Sequence, residues 1–249
     1  MPINTTLLLS PEQDPMGRAI ADYYKNKKVK ENIKVFSSMF DEDEIPVKQL
    51  FRKFNQMPAL EKRALELASG KILDVGAGSG CHTLALQNMG KEVCAIDISP
   101  LSVETMRQQG VKNAQQINFF SPEFTEKFNT ILMLMNGSGI VGKIGNMPQL
   151  FNKAKDILLP DGVIYMDSSD LRYLFEEEDG SFLIDLNGDY YGEVDYQMQY
   201  KETKGEIFDW LYIDPQTLTL YANEHGFNVE IIKEGKHYDY LAKITLGDF

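Results

Sequence analysis

The sequence is poor in cysteine, histidine, tryptophan and basic side chains. Its 249 residues include 2 Cys, 3 His and 1 Trp, and 25 Lys and Arg stand against 37 Asp and Glu. Cys81 and Cys94 show no paired ligand spacing, which predicts a reducing, cytosolic compartment and no metal site. The net charge of −12 repels phosphate backbones, so we expect no nucleic-acid partner.

The sequence also lacks long apolar runs. Residues 7–9 are all leucine, but this run is short, has no basic flank and continues into Ser10-Pro11. The longest other apolar run, residues 131–135, is far below the roughly 20 residues that cross a bilayer. We therefore expect a soluble protein with no export signal and no membrane partner.

The composition and the first part of the chain predict a packed, helical beginning. Hydrophobic residues at 43% and charged residues at 25% are typical of globular domains. Pro15 suits the first position of a helix, and apolar residues recur at helical spacing through residues 33–40. Further helices are expected near Pro46 and Pro58. These features predict an N-terminal helical cap over residues 1–70.

From residue 71 onward, short β-rich apolar runs alternate with helical stretches. The runs occupy residues 71–75, 92–96, 111–117, 128–135 and 162–166. This alternation is typical of a parallel sheet with crossover helices. Two more strands, 228–233 and 240–246, are joined by only a short link and must be antiparallel neighbours. The fold class is therefore α/β, with a second predicted unit over residues 71–249.

One segment of this unit, residues 170–213, interrupts the simple alternation. It contains an acidic patch at 176–179 and two alternating aromatic runs at 193–200 and 206–213. The five residues between the two runs suit a hairpin turn. We therefore expect a β-hairpin insertion that follows the fifth strand.

A glycine-rich loop follows the first predicted strand. The sequence from Asp74 to Gly80 reads Asp-Val-Gly-Ala-Gly-Ser-Gly, and glycine permits positive φ and close approach of the backbone to a ligand. The spacing departs from the dinucleotide fingerprint G-x-G-x-x-G, because Cys81 stands where the third glycine is required. Asp97 ends the second strand, where a carboxylate can accept both hydroxyls of an adenosine ribose.

These motifs resemble those of class I S-adenosylmethionine-dependent methyltransferases over residues 70–167, and the resemblance extends to residue 246. It implies a doubly wound, Rossmann-like sheet of seven strands with the last strand antiparallel, and S-adenosylmethionine as the cofactor. The resemblance implies that the loop lies under the cofactor. In this sequence the loop residues are Gly76, Ala77, Gly78 and Gly80. The resemblance further implies that Asp74 holds the amino-acid end, that Asp97 binds the ribose and that Ile98 packs on the adenine.

Later motifs of the family are matched with changes. Asn118 stands where the family usually has an aspartate that contacts the adenine amino group, and Phe119 follows beside the ring. Asn129 replaces the common aspartate of the fourth motif. The resemblance places Met135 and Asn136 at a strand end next to the sulfonium.

The acceptor side offers candidates rather than a motif. Asp167, Ser168 and Asp170 follow the fifth strand at the edge where open α/β sheets bind ligands, although a local Asx or Ser turn explains them equally well. The insertion supplies aromatic side chains, namely Tyr190, Tyr191, Tyr196 and Tyr200. Aromatic walls near carboxylates favour a neutral or cationic small molecule as acceptor.

The type of reaction has three interpretations at this stage. Methyl transfer to an amine, hydroxyl or carboxylate needs mainly orientation, and no catalytic base is evident, since His82 suits capping or packing. Aminopropyl transfer of the polyamine synthase type is the alternative, with Asp167 and Asp170 around a cationic acceptor. The third interpretation is a non-catalytic module that only binds S-adenosylmethionine.

Overall fold

The computed structural model describes residues 3–177, 179–183 and 188–247, so the predicted acidic patch and insertion lie partly outside the described residues, at 178 and at 184–187. The strands are, in chain order, β1 Ile33–Phe36, β2 Asp43–Ile45, β3 Lys71–Val75, β4 Glu92–Asp97, β5 Ala114–Gln116, β6 Phe128–Met133, β7 Leu158–Ser169, β8 Glu193–Tyr200, β9 Thr203–Lys204, β10 Phe208–Leu211, β11 Phe227–Glu234 and β12 Asp239–Leu246. The helices are α1 Pro15–Asn26, α2 Ala59–Leu67, α3 Cys81–Asn88, α4 Pro100–Gln108, α5 Met147–Ile157 and α6 Pro215–Glu224. Within these ranges no helix exceeds the 12 residues of α1, too few to cross a bilayer.

Seven strands form the large sheet in the order β11-β12-β7-β6-β3-β4-β5. The neighbours from β5 to β7 are parallel, whereas β12 runs antiparallel to both β7 and β11. The predicted fold class is confirmed. The strand order reverses between β3 and β6, and open α/β sheets bind ligands at the carboxyl ends of strands beside such a reversal.

Alternate residues of the central strands pack on opposite faces of the sheet. In β3, Leu73 and Val75 join a core with α5 and α6, whereas Ile72 joins a second core with α2 and α3. A strand covered on both faces is apolar on both sides, which explains the consecutive apolar residues Ile72-Leu73 in β3 and Ile131-Leu132-Met133 in β6. The two helical layers leave the carboxyl ends of the strands to be covered by other parts of the chain.

A separate antiparallel sheet provides this cover, and we call it the small sheet. Its order is β10-β8-β1-β2, with β9 also paired to β8. The hairpin predicted in the insertion is confirmed as β8 and β10, with Tyr196 opposite Phe208. Tyr200 is fully buried against Ile20 of α1, so it belongs to the packing of the small sheet rather than to an aromatic wall.

The helix predicted over residues 33–40 is wrong, because residues 33–36 form β1. Ile33 and Val35 are buried while Lys34 between them is exposed, which is the period of a strand. The register places Val35 opposite Met198 of β8. The helix expected near Pro46 is only a short 3-10 turn. The long-range partner therefore decided a segment whose apolar spacing also matched a helix.

The small sheet docks on the carboxyl ends of β6 and β7. The Ser138 hydroxyl donates to the Leu211 carbonyl at 2.8 Å, and the Ile213 N–H donates to the Ser168 hydroxyl at 3.0 Å. Gly139 lies against the Trp210 ring, since a Cβ built on it would come within 1.8 Å of that ring. The described part of the insertion thus lies at the edge of the large sheet that carries the glycine-rich loop.

Candidate active site

The glycine-rich loop connects β3 to α3 through three glycines of positive φ. The φ values are +65° at Gly76, +54° at Gly78 and +81° at Gly80. A Cβ at Gly76 would meet no atom within 4 Å, and one at Gly78 would only reach Ile20 of α1 at 3.9 Å and the Gly76 carbonyl oxygen at 4.0 Å. A Cβ at Gly80 would come within 2.8 Å of Met106. The first two glycines therefore border open space, while the third permits the close packing of α3 against α4.

Asp97 ties the end of β4 to this loop. One carboxylate oxygen accepts the N–H of Gly78 and the other accepts the N–H of Ser99, each at 2.8 Å. Burial raises the pKa of Asp97 to about 6, although both backbone hydrogen bonds oppose this rise. Each oxygen keeps a second lone pair, so the carboxylate can also accept two ribose hydroxyls.

Asp74 lies beneath the loop rather than at its surface. It is buried, and its carboxylate accepts a hydrogen bond from the hydroxyl of Thr83 in α3, with 2.6 Å between the two oxygens. Burial also raises the pKa of this carboxyl group. Its side chain holds the start of α3 under the loop. Ala77 is buried and packs against Val103 and Met106 of α4. The open space above Gly76 and the Asp97 carboxylate together fit a ribose-bearing cofactor such as S-adenosylmethionine.

Asn118 binds the N-terminal segment of the chain. Its amide nitrogen donates to the carbonyls of Asn4 and Leu7, both at 3.2 Å. Its side-chain oxygen accepts the N–H of Phe120 at 2.9 Å. Phe119 is buried in the main core, with its ring edge against Phe120.

The same segment is also bound next to Asp97, because the N–H of Leu9 donates to the carbonyl of Ile98 at 3.0 Å. Ile98 itself is only partly buried. The N-terminal segment therefore contacts Ile98 and Asn118, two of the three residues that the resemblance assigns to the adenine. No local sequence pattern signals this arrangement.

The strand predicted over 128–135 ends at Met133, because the chain turns over residues 134–136. Met135 and Asn136 have φ of +67° and +57°. Asp167 at the end of β7 accepts the N–H of Met135 at 3.2 Å and that of Gly137 at 3.3 Å. Burial raises the pKa of Asp167 to about 6. This carboxylate is thus bonded to the backbone of the turn.

The other acceptor-side candidates also have internal partners. The hydroxyl of Ser168 forms a hydrogen bond with the hydroxyl of Ser138, with 2.8 Å between the two oxygens.

Asp170 accepts hydrogen bonds from the N–H of Arg172 and from the hydroxyl of Tyr191, each at 2.9 Å, and it forms an ion pair with the Arg172 side chain. The Tyr190 hydroxyl donates to Asp214 at 2.7 Å. Only Asp170 makes the local bond of an Asx turn, to the N–H of Arg172, whereas Asp167 and Ser168 bond to distant parts of the chain. None of these side chains is a free carboxylate of the kind that aminopropyl transfer requires.

Two aromatic side chains that the sequence analysis did not single out, Tyr173 and Tyr238, contact each other in this region. Tyr173 stacks on Tyr238 with 5.3 Å between ring centroids, and both remain exposed. The hydroxyls of Tyr196 and Tyr212 lie 3.1 Å apart. Tyr173 lies in the short 3-10 helix Leu171–Phe175 and Tyr238 in a bend between β11 and β12. Neither segment is long enough for a periodic pattern to mark a side chain as facing a site.

His82 belongs to a buried network beside the loop. Its Nε2 lies 2.8 Å from a carboxylate oxygen of Glu61, and Arg52 binds both oxygens of the same carboxylate. Burial opposes ionisation, but His82 and Arg52 outweigh it and lower the pKa of Glu61. The network links α2 to α3, so His82 has the packing role expected of it. Its partners in α2 and in the preceding turn were not identified from the sequence.

Comparisons with known proteins agree with this geometry. A family model described as a methyltransferase domain matches residues 67–211. The crystal structure of an S-adenosylmethionine-dependent methyltransferase from Bacteroides fragilis, in complex with S-adenosyl-L-homocysteine, has 64% sequence identity and a TM-score of 0.93. That alignment covers 98% of this chain and 99% of the other.

Two curated relatives are more distant. An uncharacterized methyltransferase from Staphylococcus carnosus is 25% identical over 72% of this chain and 79% of its own length. A ubiquinone biosynthesis O-methyltransferase from Xanthomonas oryzae pv. oryzae is 34% identical over 55 residues, which is only 23% of its length. The family match over more than half of the chain and the nearly full-length similarity to the Bacteroides protein lead to one conclusion: this chain belongs to the S-adenosylmethionine-dependent methyltransferases, and S-adenosylmethionine is its cofactor.

Proposed function

We propose that the protein transfers a methyl group to a nitrogen, hydroxyl or carboxylate group of a small molecule. The main support is the small sheet, which docks on the carboxyl ends of β6 and β7 through Ser138 and Ser168. A sheet in this position covers the edge of the large sheet at which β3 ends and the glycine-rich loop begins. Covered sites of this kind suit small molecules and exclude water from the reacting groups.

On the cofactor side, we assign binding to the loop and to the strand ends around it. Gly76 and Gly78 border open space, so the backbone can approach the ligand there. Asp97 would accept the ribose hydroxyls with the lone pairs that Gly78 and Ser99 leave available. Asp74 would act from below, by holding α3 through Thr83.

Bound S-adenosylmethionine supplies a methyl group made electrophilic by a positively charged sulfur. The residues of this chain therefore need to orient the acceptor and keep water away, more than to extract a proton. In the part of the chain that the structure describes, His82 is engaged by Glu61 and Asp167 by the backbone at 135–137. Neither group is placed as a free general base, which favours an acceptor that can lose its proton to solvent.

The walls of the covered region favour a neutral or cationic acceptor. Tyr191 donates its hydroxyl to Asp170, and the Asp170 N–H donates to the carbonyl of Tyr238, whose exposed ring stacks on Tyr173. The net charge of −12 further disfavours tRNA or DNA. A phenol can donate or accept a hydrogen bond, and its ring can face an ammonium group.

The test is incubation of the protein and methyl-labelled S-adenosylmethionine with three separate fractions of a cell extract: small molecules, tRNA and duplex DNA. We expect label in the small-molecule fraction only, with a product one methyl heavier by mass spectrometry. Label in tRNA or DNA would contradict the proposal. Binding of S-adenosylhomocysteine without any labelled product would instead support a non-catalytic module.

A further inference from the structure

The turn at residues 135–137 has a backbone conformation that its sequence disfavours. Met135 and Asn136 are consecutive non-glycine residues in the left-handed region, at φ +67° and +57°. Asparagine tolerates this region better than other side chains, but methionine does not. Strained residues of this kind persist only where surrounding groups hold them, and they cluster at functional sites.

Asp167 is the side chain that holds this turn. Its two carboxylate oxygens accept the N–H groups of Met135 and Gly137, one on each side of Asn136. The residue is 9% exposed, and among the described residues its carboxylate has no ion-pair partner. A buried carboxylate needs hydrogen bonds, so Asp167 and the turn stabilise each other.

A second residue of β7 orients the side chain at the centre of the turn. The Ser169 hydroxyl donates to the side-chain oxygen of Asn136 at 3.1 Å. The oxygen end of the amide is therefore engaged, and within the described ranges its NH₂ end has no hydrogen-bond partner. Asn136 is only partly buried, so this donor group can reach a bound molecule.

The turn that carries the Asn136 NH₂ group lies between two parts of the candidate site. It follows β6, which pairs directly with β3 and thus lies beside the glycine-rich loop. On its other side the chain continues into the 3-10 helix Gly137–Val141, whose Ser138 binds the small sheet. The turn therefore stands between the cofactor loop and the region covered by the small sheet. The Met135 side chain is 42% exposed at the same place.

We propose that Asp167 is a positioning residue for methyl transfer, which holds the 135–137 turn so that the Asn136 NH₂ group donates a hydrogen bond to an oxygen of the acceptor. This inference rests on the proposed function and narrows it. The acceptor carries a hydroxyl, carbonyl or carboxylate oxygen close to the atom that is methylated. Asp167 acts through the backbone and does not touch the acceptor.

The first test uses Asp167→Asn and a glycine rescue. An amide can accept only with its oxygen, so one of the two turn contacts is lost. We expect methyl incorporation into the small-molecule fraction of a cell extract to fall about 100-fold, as expected for misplaced reacting groups. The KM for S-adenosylmethionine should stay within about threefold of the wild-type value, because Asp167 is not placed at the ribose.

The rescue variant combines Asp167→Asn with Met135→Gly, compared with Met135→Gly alone. Glycine adopts positive φ without strain, so the turn should recover its conformation without the carboxylate. We expect the double variant to be about tenfold or more faster than Asp167→Asn. If the double variant stays as slow as Asp167→Asn, the carboxylate acts on the acceptor itself and the proposal is overturned.

Hydrogen exchange of the Met135 and Gly137 amides, followed by NMR with S-adenosylhomocysteine bound, supplies a readout that needs no acceptor. We expect exchange to rise about tenfold or more in Asp167→Asn. The matched control is Asn129→Ala, which removes a side-chain oxygen bonded to the backbone N–H of Lys71 at the opposite end of β6. This control should leave both amides unchanged.

The outcomes separate this inference from the proposed function. Unchanged amide exchange in Asp167→Asn would show that the carboxylate does not hold the turn, which overturns the inference. A methylated product without any oxygen near the new methyl group would overturn the assignment of Asn136. A third outcome is faster amide exchange in Asp167→Asn together with a wild-type protein that labels no small molecule. It would contradict the proposed function but would support the role of Asp167 in holding the turn.

Discussion

The carboxylate of Asp97 accepts a hydrogen bond from the backbone N–H of Gly78 at 2.8 Å, across 19 residues of sequence. This contact joins the end of β4 to the middle of the glycine-rich loop at the end of β3. The two features that marked the site in the sequence are therefore one physical unit. A change at either residue should alter both the loop conformation and the position of the carboxylate that we propose for the ribose hydroxyls.

Asp97→Ala should weaken binding of S-adenosylhomocysteine by about 1.5 to 3 kcal/mol, the scale of a lost charge-assisted hydrogen bond. Isothermal titration calorimetry measures this difference directly. Glu104→Ala, an exposed carboxylate in α4, is the matched control and should leave affinity unchanged. A wild-type protein that gives no heat with this ligand but binds a nicotinamide dinucleotide would contradict the assignment.

Gly78→Ala and Gly80→Ala should separate cofactor binding from folding. Both residues have positive φ, so each substitution costs roughly 1 to 2 kcal/mol of backbone strain. Only the Gly80 variant also drives a methyl group into Met106, so it should melt at the lower temperature. The Gly78 variant should instead lose the rise in melting temperature that S-adenosylhomocysteine causes in the wild type. Retention of the full rise in Gly78→Ala would refute the placement of the ligand over this glycine.

Affinity for S-adenosylhomocysteine should fall as the pH drops below about 6. The pKa of Asp97 is raised to about 6 by burial, so its carboxyl group becomes protonated in this range and loses lone pairs that the ribose hydroxyls need. The ionised, binding-competent form is present above the pKa and is lost below it. We expect a loss of up to about tenfold between pH 6 and pH 5.

The control for this pH effect is Asp97→Asn, because Asp14 and Asp74 lie near Asp97 and also have raised pKa values. The variant should bind more weakly at neutral pH but show a flatter dependence on pH. An equally steep loss of affinity in Asp97→Asn would assign the titration to one of the neighbouring carboxyl groups.

Asn118→Asp distinguishes two roles for this residue. An aspartate can still accept from the adenine amino group, as in other members of the family, but it cannot donate to the Asn4 and Leu7 carbonyls. If binding of the N-terminal segment is the main role, Asn118→Asp and Asn118→Ala should weaken S-adenosylhomocysteine binding alike, by roughly 1 to 3 kcal/mol. Calorimetry that finds Asn118→Asp as tight as the wild type would assign Asn118 to the adenine instead.

The parts that the sequence determined are those with local causes. Strand and helix periods specified the large sheet, and alternation specified the hairpin of β8 and β10. The glycines at 76, 78 and 80 marked the loop because only glycine adopts these backbone angles cheaply, and Asp97 follows at the spacing set by one crossover helix. These features depend on neighbours a few residues away, so they can be recognised in the chain itself.

The rest depended on contacts between distant segments, which only the tertiary structure decided. β1 is a strand because β8 lies beside it, with Val35 opposite Met198, although its apolar spacing also suits a helix. Asp167 is committed to the turn after β6 because β7 happens to lie next to that strand. From the sequence alone, a polar side chain at a strand end could bond to any of several distant segments. The packing of the sheets decides which of these segments lies within hydrogen-bond distance, because a buried polar group needs a partner.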